Sequence, residues 1–388
     1  MYYLREALGL AAICAMTWAG WSALRLARAD AAFRQQTPEG VARALELAPE
    51  NTAYLSLRAL QIEYEGGDSR GLLERWAAAN PMASAPRIRL GLDAEVRGDY
   101  AAAEKWLLDA ARVDRQFEPS WTLANFYFRQ QRLPEFWKWM RLALDVSYGD
   151  RRPAFDLCRR AGEPQEILRA LPDRREVWSA YLEYLLAHHE PADAAGAARK
   201  LAEWRDPADR DVLYRACDAL LEAGDTQAAM QIWSMLGQAT KPAIFHPDFE
   251  PPRIGHGFDW HLIESPGVTH LPLDSPPAHR ILLSGQQPEA CELLKQYVAL
   301  ELGRAADAAP ARRYVLRWES RTSGLHSPTG IEWRIGGERA ALPASDDWSR
   351  GEMQMSKGGW LALEYQRPTG EVRAEGYVEI RHVTVTAQ

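Results

Sequence analysis

Short turn signals recur through the first two thirds of the chain at the spacing of helix pairs. Each combines glycine or proline with a polar or charged residue, and successive signals lie about 27 to 35 residues apart. They are Gly67-Asp68, Gly98-Asp99, Arg132-Leu133-Pro134, Gly162-Glu163-Pro164, His189-Glu190-Pro191 and Gly224-Asp225. Two short helices joined by a turn cannot bury their apolar faces alone, so such units must stack on one another. The spacing predicts a solenoid of five or six helical hairpins over residues 30–240.

The clearest unit spans Ser84 to Phe117. It contains Leu90-Gly91, then Gly98-Asp99-Tyr100, then Ala103 and Ala110. These residues resemble a tetratricopeptide repeat and fall at its usual offsets. Small side chains at Gly91 and Ala103 are expected to let two helix axes approach closely. The resemblance implies a scaffold that binds a protein partner in a concave groove; the alternative is a spacer.

The next unit, residues 118–151, is predicted to keep the same register, with Trp121 and Ala124 on its first helix. Trp137 and Leu144 then occupy positions where small residues are expected. Its second helix is therefore expected to pack differently. Most of the many aromatic residues in this unit are predicted to lie in the core, with one or two exposed.

A helix boundary is predicted within Leu45–Tyr54. One helix should end before Pro49, because proline disfavours helix in the residue before it. Asn51 is then expected to cap the next helix.

The eighteen residues from Ala7 to Leu24 carry no charge. As a helix they would span ~27 Å, close to the ~30 Å hydrocarbon core of a bilayer. Trp18 and Trp21 lie toward one end, where aromatic rings favour the membrane interface. A signal peptide cleaved after the small residues of Ala27-Arg28-Ala29 is the alternative. We predict that residues 1–29 form a single-pass membrane anchor.

The orientation of this anchor is less strongly determined by the sequence. Arg5 precedes the apolar run, and Arg25, Arg28 and Arg34 follow it. Taken literally, the positive-inside rule keeps the body in the cytoplasm, but long domains translocate largely regardless of flanking charge. The body is expected on the periplasmic side of a bacterial inner membrane.

After residue 240 the pattern changes from helical to strand-like. Apolar and polar residues alternate in Tyr314–Trp318, Ile331–Ile335 and Leu361–Tyr365, and Tyr377–Thr386 is rich in β-branched residues. Eight or nine short strands predict an antiparallel β-sandwich or jelly roll over residues 241–388.

The order of features in this region resembles a galactose-binding-like, carbohydrate-binding-module jelly roll. It passes from Asp248-Phe249-Glu250 through Gly257-Phe258-Asp259-Trp260 and Tyr314-Val315-Leu316 to Gly376–Val385. The resemblance implies glycan recognition. Where many such modules close on an acidic calcium ligand, this chain has Arg381-His382, so no calcium site is expected.

Two tryptophans of this region are candidate sugar platforms. Alternation places Trp318 and Trp333 inside, whereas Trp348 and Trp360 lie near turns. The apolar face of a pyranose packs on an indole ring, and carboxylates accept hydrogen bonds from its hydroxyls. We expect Trp348, Trp360, Asp346 and Asp347 to bind ligand; the alternative is that every tryptophan is core.

Charge and motifs exclude several classes of function. A net charge of -7 argues against nucleic acid as a partner. The sequence has no GxGxxG, GxxxxGK[ST] or HExxH motif, so neither an enzyme nor a cofactor is expected. The cysteines form no CxxC pair, which leaves only a single Cys158–Cys217 bridge open. His256 and His261 flank Asp259, but loop histidines are more often solvated, and no metal site is expected.

These observations together predict a non-enzymatic, membrane-anchored scaffold. Its helical repeats would bind protein, and its sandwich would bind polysaccharide as an accessory in envelope polysaccharide assembly or export. The alternative is a protein–protein adaptor of a membrane complex whose sandwich is purely structural.

Overall fold

The computed structural model describes residues 2–239, 243–300 and 313–387, with the side chains of residues 2–6 left out. Within these residues the chain forms fourteen α-helices and ten β-strands. They belong to two compact units, Met1–Asp173 and Arg174–Gln388. The predicted α plus β architecture is confirmed. Of the predicted domain boundaries, 29/30 lies inside the first helix and 240/241 lies outside the described residues.

The first unit consists of five helical hairpins, which are tetratricopeptide-like. Its helices are α1 Tyr2–Phe33, α2 Pro38–Leu47, α3 Thr52–Tyr64, α4 Arg70–Ala79, α5 Ala85–Val96, α6 Tyr100–Val113, α7 Phe117–Arg129, α8 Leu133–Val146, α9 Arg152–Ala161 and α10 Pro164–Ala170. We call the first helix of each hairpin its A helix. The predicted boundary is confirmed: α2 ends before Pro49, and the Asn51 side chain accepts from the Ala53 and Tyr54 amides.

The close helix crossing predicted at Gly91 is also confirmed. A Cβ atom on Gly91 would lie 2.6 Å from the Leu107 side chain and 3.3 Å from the Ala103 carbonyl oxygen. Any larger side chain at position 91 would therefore force α5 and α6 apart.

The register predicted for the following hairpin is off by one residue. Phe136 and Ala143, rather than Trp137 and Leu144, occupy the positions equivalent to Ala103 and Ala110, although Leu144 is buried as well. The left-handed turn residues Gly98 and Gln131 lie 33 residues apart, one fewer than the spacing assumed. Trp121 is accordingly half-buried and stacks on Phe117, whereas Ala124 is fully buried.

The second unit combines two hairpins with a sandwich. Its helices are α11 Arg175–Ala187, α12 Pro191–Ala202, α13 Arg210–Glu222 and α14 Thr226–Met235. With the pairing of α1 and α2, the described residues contain seven hairpins, more than the five or six predicted. The difference arises because the end of α1 forms a hairpin with α2 that no turn signal marks.

Two antiparallel five-stranded sheets form the sandwich. The strands are β1 His261–Leu262, β2 Val268–Asp274, β3 Pro277–Ser284, β4 Ala290–Val298, β5 Tyr314–Ser323, β6 Ile331–Ile335, β7 Glu338–Ala341, β8 Ser349–Met355, β9 Gly359–Gln366 and β10 Glu375–Ala387. Sheet A has the order β1-β4-β9-β6-β7, and sheet B has the order β2-β3-β10-β5-β8. Consecutive strands thus often belong to different sheets.

The sandwich core lies between the two sheets. As alternation predicts, Leu316 and Trp318 of β5, Trp333 of β6 and Leu363 of β9 point into it. The side chains between them in sequence therefore project from the outer faces of the sheets.

Candidate functional site

Helix α1 is both an exposed apolar helix and part of the first hairpin. From Ala7 to Phe33 it is long and apolar enough to cross a membrane. Trp18 is 72% exposed, and other large apolar side chains of this stretch are exposed as well. The final turns of α1 are packed instead of exposed. Ala29 and Ala32 are buried, and the centroid of the Phe33 ring lies 4.5 Å from that of the Tyr54 ring. One uninterrupted helix joins the apolar segment to the solenoid.

Four exposed apolar side chains occupy equivalent positions on α3 and α5. Leu60 and Leu92 lie six residues before a left-handed turn glycine, and Tyr64 and Val96 lie two residues before it. We call these four residues the A-helix patch. Tyr64 is 94% exposed and Val96 is 88% exposed. Burying such side chains against a partner stabilises a complex, since each contributes roughly 1.5–3 kcal/mol of transfer free energy when fully buried.

Ion pairs connect each A helix of this region to the next one. Glu63 of α3 pairs with Arg89 of α5 at 2.6 Å, and Glu95 of α5 pairs with Arg129 of α7 at 2.7 Å. A depression of about 520 Å³ opens beside the patch, and Glu63, Arg89, Leu92 and Val96 line part of it. The patch thus combines apolar contact area with charged groups at its margin, as protein interfaces do.

A partly exposed hydrogen-bonded network joins α6 to the hairpin of α7 and α8. The Tyr127 hydroxyl donates to Glu104 at 2.8 Å, and Arg132 donates to the same carboxylate at 2.8 Å. The hydrogen bond from Arg132 holds the pKa of Glu104 below its usual range. Burial and the Glu104 carboxylate raise the pKa of Tyr127. The network is satisfied internally, so its role is structural.

One match to a hydrolase motif, which the sequence analysis missed, has a structural explanation. Gly67–Gly71 reads GDSRG, which fits the GxSxG pattern of a nucleophilic serine. Ser69, however, precedes α4 in a helix-to-helix turn, is buried, and donates to Glu63 at 2.6 Å. The motif acts only where a strand leads into a helix and a histidine base is within reach. No histidine is present before His188 in the sequence, so the first unit lacks that base.

The outer face of sheet B carries two ion-pair networks that the sequence analysis missed. Glu379 of β10 is fully buried because Arg280 of β3 and Arg321 of β5 cover it and donate to its carboxylate. Burial alone would raise the pKa of Glu379, but the bonds from the two arginines outweigh it, so this pKa is lowered. Alternating Arg and Glu in β5 and β10 was the available signal.

The second network centres on Glu319 of β5. Arg381 donates to this carboxylate at 2.8 and 2.9 Å, and Arg350 donates at 3.1 Å. The bond from Arg381 lowers the pKa of Glu319. Arg381 also lies over the ring of Trp348, 4.0 Å from its centroid. Trp348 is thus part of the same charged surface.

The four residues predicted to bind sugar do not form one site. Trp348 adjoins sheet B and is half-buried, and Asp346 and Asp347 beside it are exposed. Trp360 lies in β9 of sheet A, where it packs edge-on against Tyr297 and His261. Only Trp348 therefore has carboxylates of the predicted set next to it.

Trp360 lies on the side of sheet A that faces α14. The Tyr297 hydroxyl, beside Trp360, is 2.7 Å from the hydroxyl of Thr226 in α14. Lys295 lies over the Trp360 ring at 4.6 Å. These contacts place Trp360 among residues that join the last hairpin to the sandwich.

The histidines near Asp259 bind different partners. Asp259 is fully buried and accepts from the His246 ring at 2.9 Å and from the Trp260 amide at 2.7 Å. His256 is hydrogen-bonded to Asp218 of α13 at 2.5 Å. The flanking histidines therefore do not converge on Asp259, and the carboxylate instead fixes its own loop.

A buried chain of hydrogen bonds runs through two further histidines. Arg253 lies 3.3 Å from Nδ1 of His279, whose Nε2 lies 3.0 Å from Nδ1 of His270. Nε2 of His270 lies 3.1 Å from the Ile263 carbonyl oxygen. Since arginine only donates and a carbonyl only accepts, each imidazole is neutral with its proton on Nε2. Burial lowers the pKa of His270 and lowers that of His279 to about 3.

The four cysteines are free thiols, so no Cys158–Cys217 bridge is formed. Burial raises the pKa of the Cys158 thiol to about 12 and raises that of Cys217 as well. Both are therefore unreactive small apolar residues.

Comparison with known proteins finds solved structures of low similarity. No family model and no curated protein matches the chain. A structure of pilF from Pseudomonas aeruginosa is 16% identical, with 49% of this chain and 77% of that one covered and a TM-score of 0.23. The type IV pilus biogenesis factor PilW is 12% identical, with 55% and 91% covered and a TM-score of 0.26. The TPR2AB domain of yeast Sti1, in a pHSP90 complex, is 16% identical, with 56% and 90% covered and a TM-score of 0.23. Scores this low carry no argument, and the helical-repeat class rests on the hairpins themselves.

Proposed function

We propose that this protein is a non-enzymatic scaffold held in a membrane by α1, and that a protein partner docks on the A-helix patch. The observation that carries the docking proposal is the near-complete exposure of Tyr64 and Val96, at 94% and 88%. Isolated apolar residues on a surface need no explanation, but contiguous exposed apolar groups mark interaction sites. Leu60 lies one helical turn before Tyr64, and Leu92 one turn before Val96, so each pair shares one face of its helix.

Site-specific photo-crosslinking tests this docking site. A photoreactive residue at Val96 should give one discrete adduct, and Tyr64→Ser should reduce its yield because it removes contact area. Val372 is a matched control, since it is a valine of the sandwich that is 86% exposed. Equal adducts from positions 96 and 372, or an adduct indifferent to Tyr64→Ser, would contradict the proposal.

The anchor proposal is supported by the continuity of α1. A signal sequence passes the same length and composition test as a membrane span. Cleavage after Ala29, however, would remove a fully buried residue of the first hairpin and leave a charged amino terminus beside Ala32. A retained span avoids that loss. The body then lies on the periplasmic side, as the translocation of long domains favours.

Two substitutions separate the membrane role of α1 from its structural role. Ile13→Arg should release the chain from membranes during alkaline extraction, because a charge at the bilayer centre costs about 2.5–3.5 kcal/mol. Ala29→Arg should leave the chain in the membrane but destabilise the first hairpin. An Ile13→Arg variant that stays fully membrane-bound would contradict the anchor.

We further propose that the sandwich binds polysaccharide and that the protein assists envelope polysaccharide assembly or export. The supporting observation is the half-buried Trp348 beside the exposed Asp346 and Asp347 on a surface rich in charged groups. Retention of the full chain in detergent on immobilised envelope polysaccharide, and its loss in Trp348→Ala, would support this role. If no polysaccharide is retained, the adaptor with a structural sandwich is the better description.

A further inference from the structure

The outer face of sheet B has a depression that the proposals above do not use. Its volume is about 610 Å³. The polar side chains that line it are Arg317, Glu319, Arg350, Glu352, His382 and Thr384, and Trp318 and Gly351 lie at its floor. They come from the three adjacent strands β10, β5 and β8, so rigid backbone positions each of them.

Some of these groups are already occupied. Glu319 is only 16% exposed and accepts from Arg381 and Arg350. His382 contacts Asp248 through Nδ1 at 2.6 Å, and its side chain is 53% exposed. Glu319 therefore shapes the depression, whereas the half-exposed ring of His382 lies at its margin with Nε2 4.0 Å from Glu319.

The two arginines at the rim have donors to spare. Arg350 is 89% exposed and contacts Glu319 through Nε, which leaves both of its terminal nitrogens available. Arg317 is 50% exposed, lies 3.4 Å from Glu352 through Nε, and donates from Nη1 to Thr386. Two guanidinium groups thus flank a polar depression without being saturated by their partners.

The charged groups of this face are nearly balanced in sign. The outer face of β3, β10, β5 and β8 carries five arginines, at 280, 317, 321, 350 and 381, against four glutamates, at 319, 352, 375 and 379. The whole chain has a net charge of -7. A carboxylate ligand would therefore be bound by the remaining donors of Arg317 and Arg350 rather than attracted by an excess of positive charge.

We propose that this depression binds a saccharide chain that carries carboxylate groups. A planar guanidinium binds a carboxylate through two parallel hydrogen bonds, which suits Arg317 and Arg350. Glu352, His382 and Thr384 supply the donors and acceptors that sugar hydroxyls need. The inference rests on the proposed polysaccharide-binding role of the sandwich and names its ligand class.

Binding of the full chain in detergent to defined polymers tests the inference. Polygalacturonate is the acidic saccharide, dextran is the neutral one, and poly-glutamate is a polyanion without sugar. Arg317→Gln and Arg350→Gln should each weaken polygalacturonate binding roughly tenfold, since each removes a charge-assisted contact. Arg339→Gln is the matched control, because Arg339 of sheet A is 53% exposed and also pairs with a cross-strand glutamate, Glu332.

Selective binding of polygalacturonate, lost in the two variants and kept in the control, supports the inference. Equal binding of dextran would overturn it while leaving polysaccharide binding intact. Equal binding of poly-glutamate, or equal weakening of polygalacturonate binding by Arg339→Gln, would show that the binding is non-specific charge attraction. Either result would also overturn the inference. If the chain binds neither polygalacturonate nor dextran, both the inference and the polysaccharide role are overturned.

Discussion

Lowering the pH from 7 to 4.5 is expected to destabilise the sandwich through His279. In the folded chain, burial lowers the pKa of His279 to about 3, whereas an unfolded histidine titrates near ~6.5. Below that pH the unfolded chain binds a proton that the folded chain does not. The stability is therefore present above pH ~6.5 and is lost as the pH falls toward 3.

The magnitude follows from the linkage slope. Each additional proton bound by the unfolded state costs ~1.4 kcal/mol of stability per pH unit. Between pH 7 and 4.5, His279 alone should cost about 2.5 kcal/mol on that slope. His270, whose pKa is also lowered, adds to this loss, with Arg253 opposing and Glu264 favouring its protonation.

Hydrogen exchange of the β3 and β10 amides measures this loss locally, which matters because a chain of two units does not unfold in one step. The free energy of opening, corrected for the intrinsic exchange rate, is compared at the two pH values. His279→Gln should reduce the pH dependence by about 2.5 kcal/mol, whatever its effect at pH 7. His326→Gln is the control, since His326 is exposed. An unchanged pH dependence in His279→Gln would refute the reasoning.

Three further predictions concern packing. Gly91→Leu should lower the free energy of unfolding, measured by urea denaturation, by ~1–3 kcal/mol. Gly71→Leu is the control and should lower it by less than ~0.5 kcal/mol, because no atom lies within 4 Å of a Cβ at Gly71. Equal effects would contradict the helix register. Glu379→Ala should lower the free energy of unfolding by ~1.5–3 kcal/mol, since it removes the charge-assisted hydrogen bonds of Arg280 and Arg321. A neutral result in the same assay would contradict that pairing. Trp333→Ala should lower the free energy of unfolding by ~3–5 kcal/mol, and Trp348→Ala should lower it by about 1 kcal/mol. Only Trp348→Ala should leave a folded chain that no longer binds polysaccharide.

Local rules predicted the elements that depend on neighbouring residues. The cap at Asn51, the turns at Gly98 and Gly224, and the close crossing at Gly91 were all readable, because each follows from one side chain and its immediate backbone. The inward positions of Leu316, Trp318 and Trp333 followed from the two-residue period of a strand.

The register of the fourth hairpin was not readable for a physical reason. Gln131 adopts a left-handed conformation with a φ of 60°, a role that Gly98 fills one repeat earlier. No glycine therefore marks this turn. An alignment of the two hairpins that is based on Arg132-Leu133-Pro134 is displaced by one residue.

The buried polar residues of the sandwich also escaped prediction. Glu379 is buried only because Arg280, 99 residues away in the sequence, and Arg321 fold over it. His279 is neutral chiefly because it is buried, and Arg253 and His270 complete its hydrogen bonds. Such burial depends on partners that strand pairing brings together, which no local pattern reveals.

The central claim is that α1 is at once a membrane span and the first helix of the solenoid. Its most direct test is mass spectrometry of the chain recovered from the membrane fraction after alkaline washing. We predict that the membrane fraction holds the chain with peptides covering residues 7–33 intact. Recovery of a soluble chain that begins at Asp30 would contradict the claim.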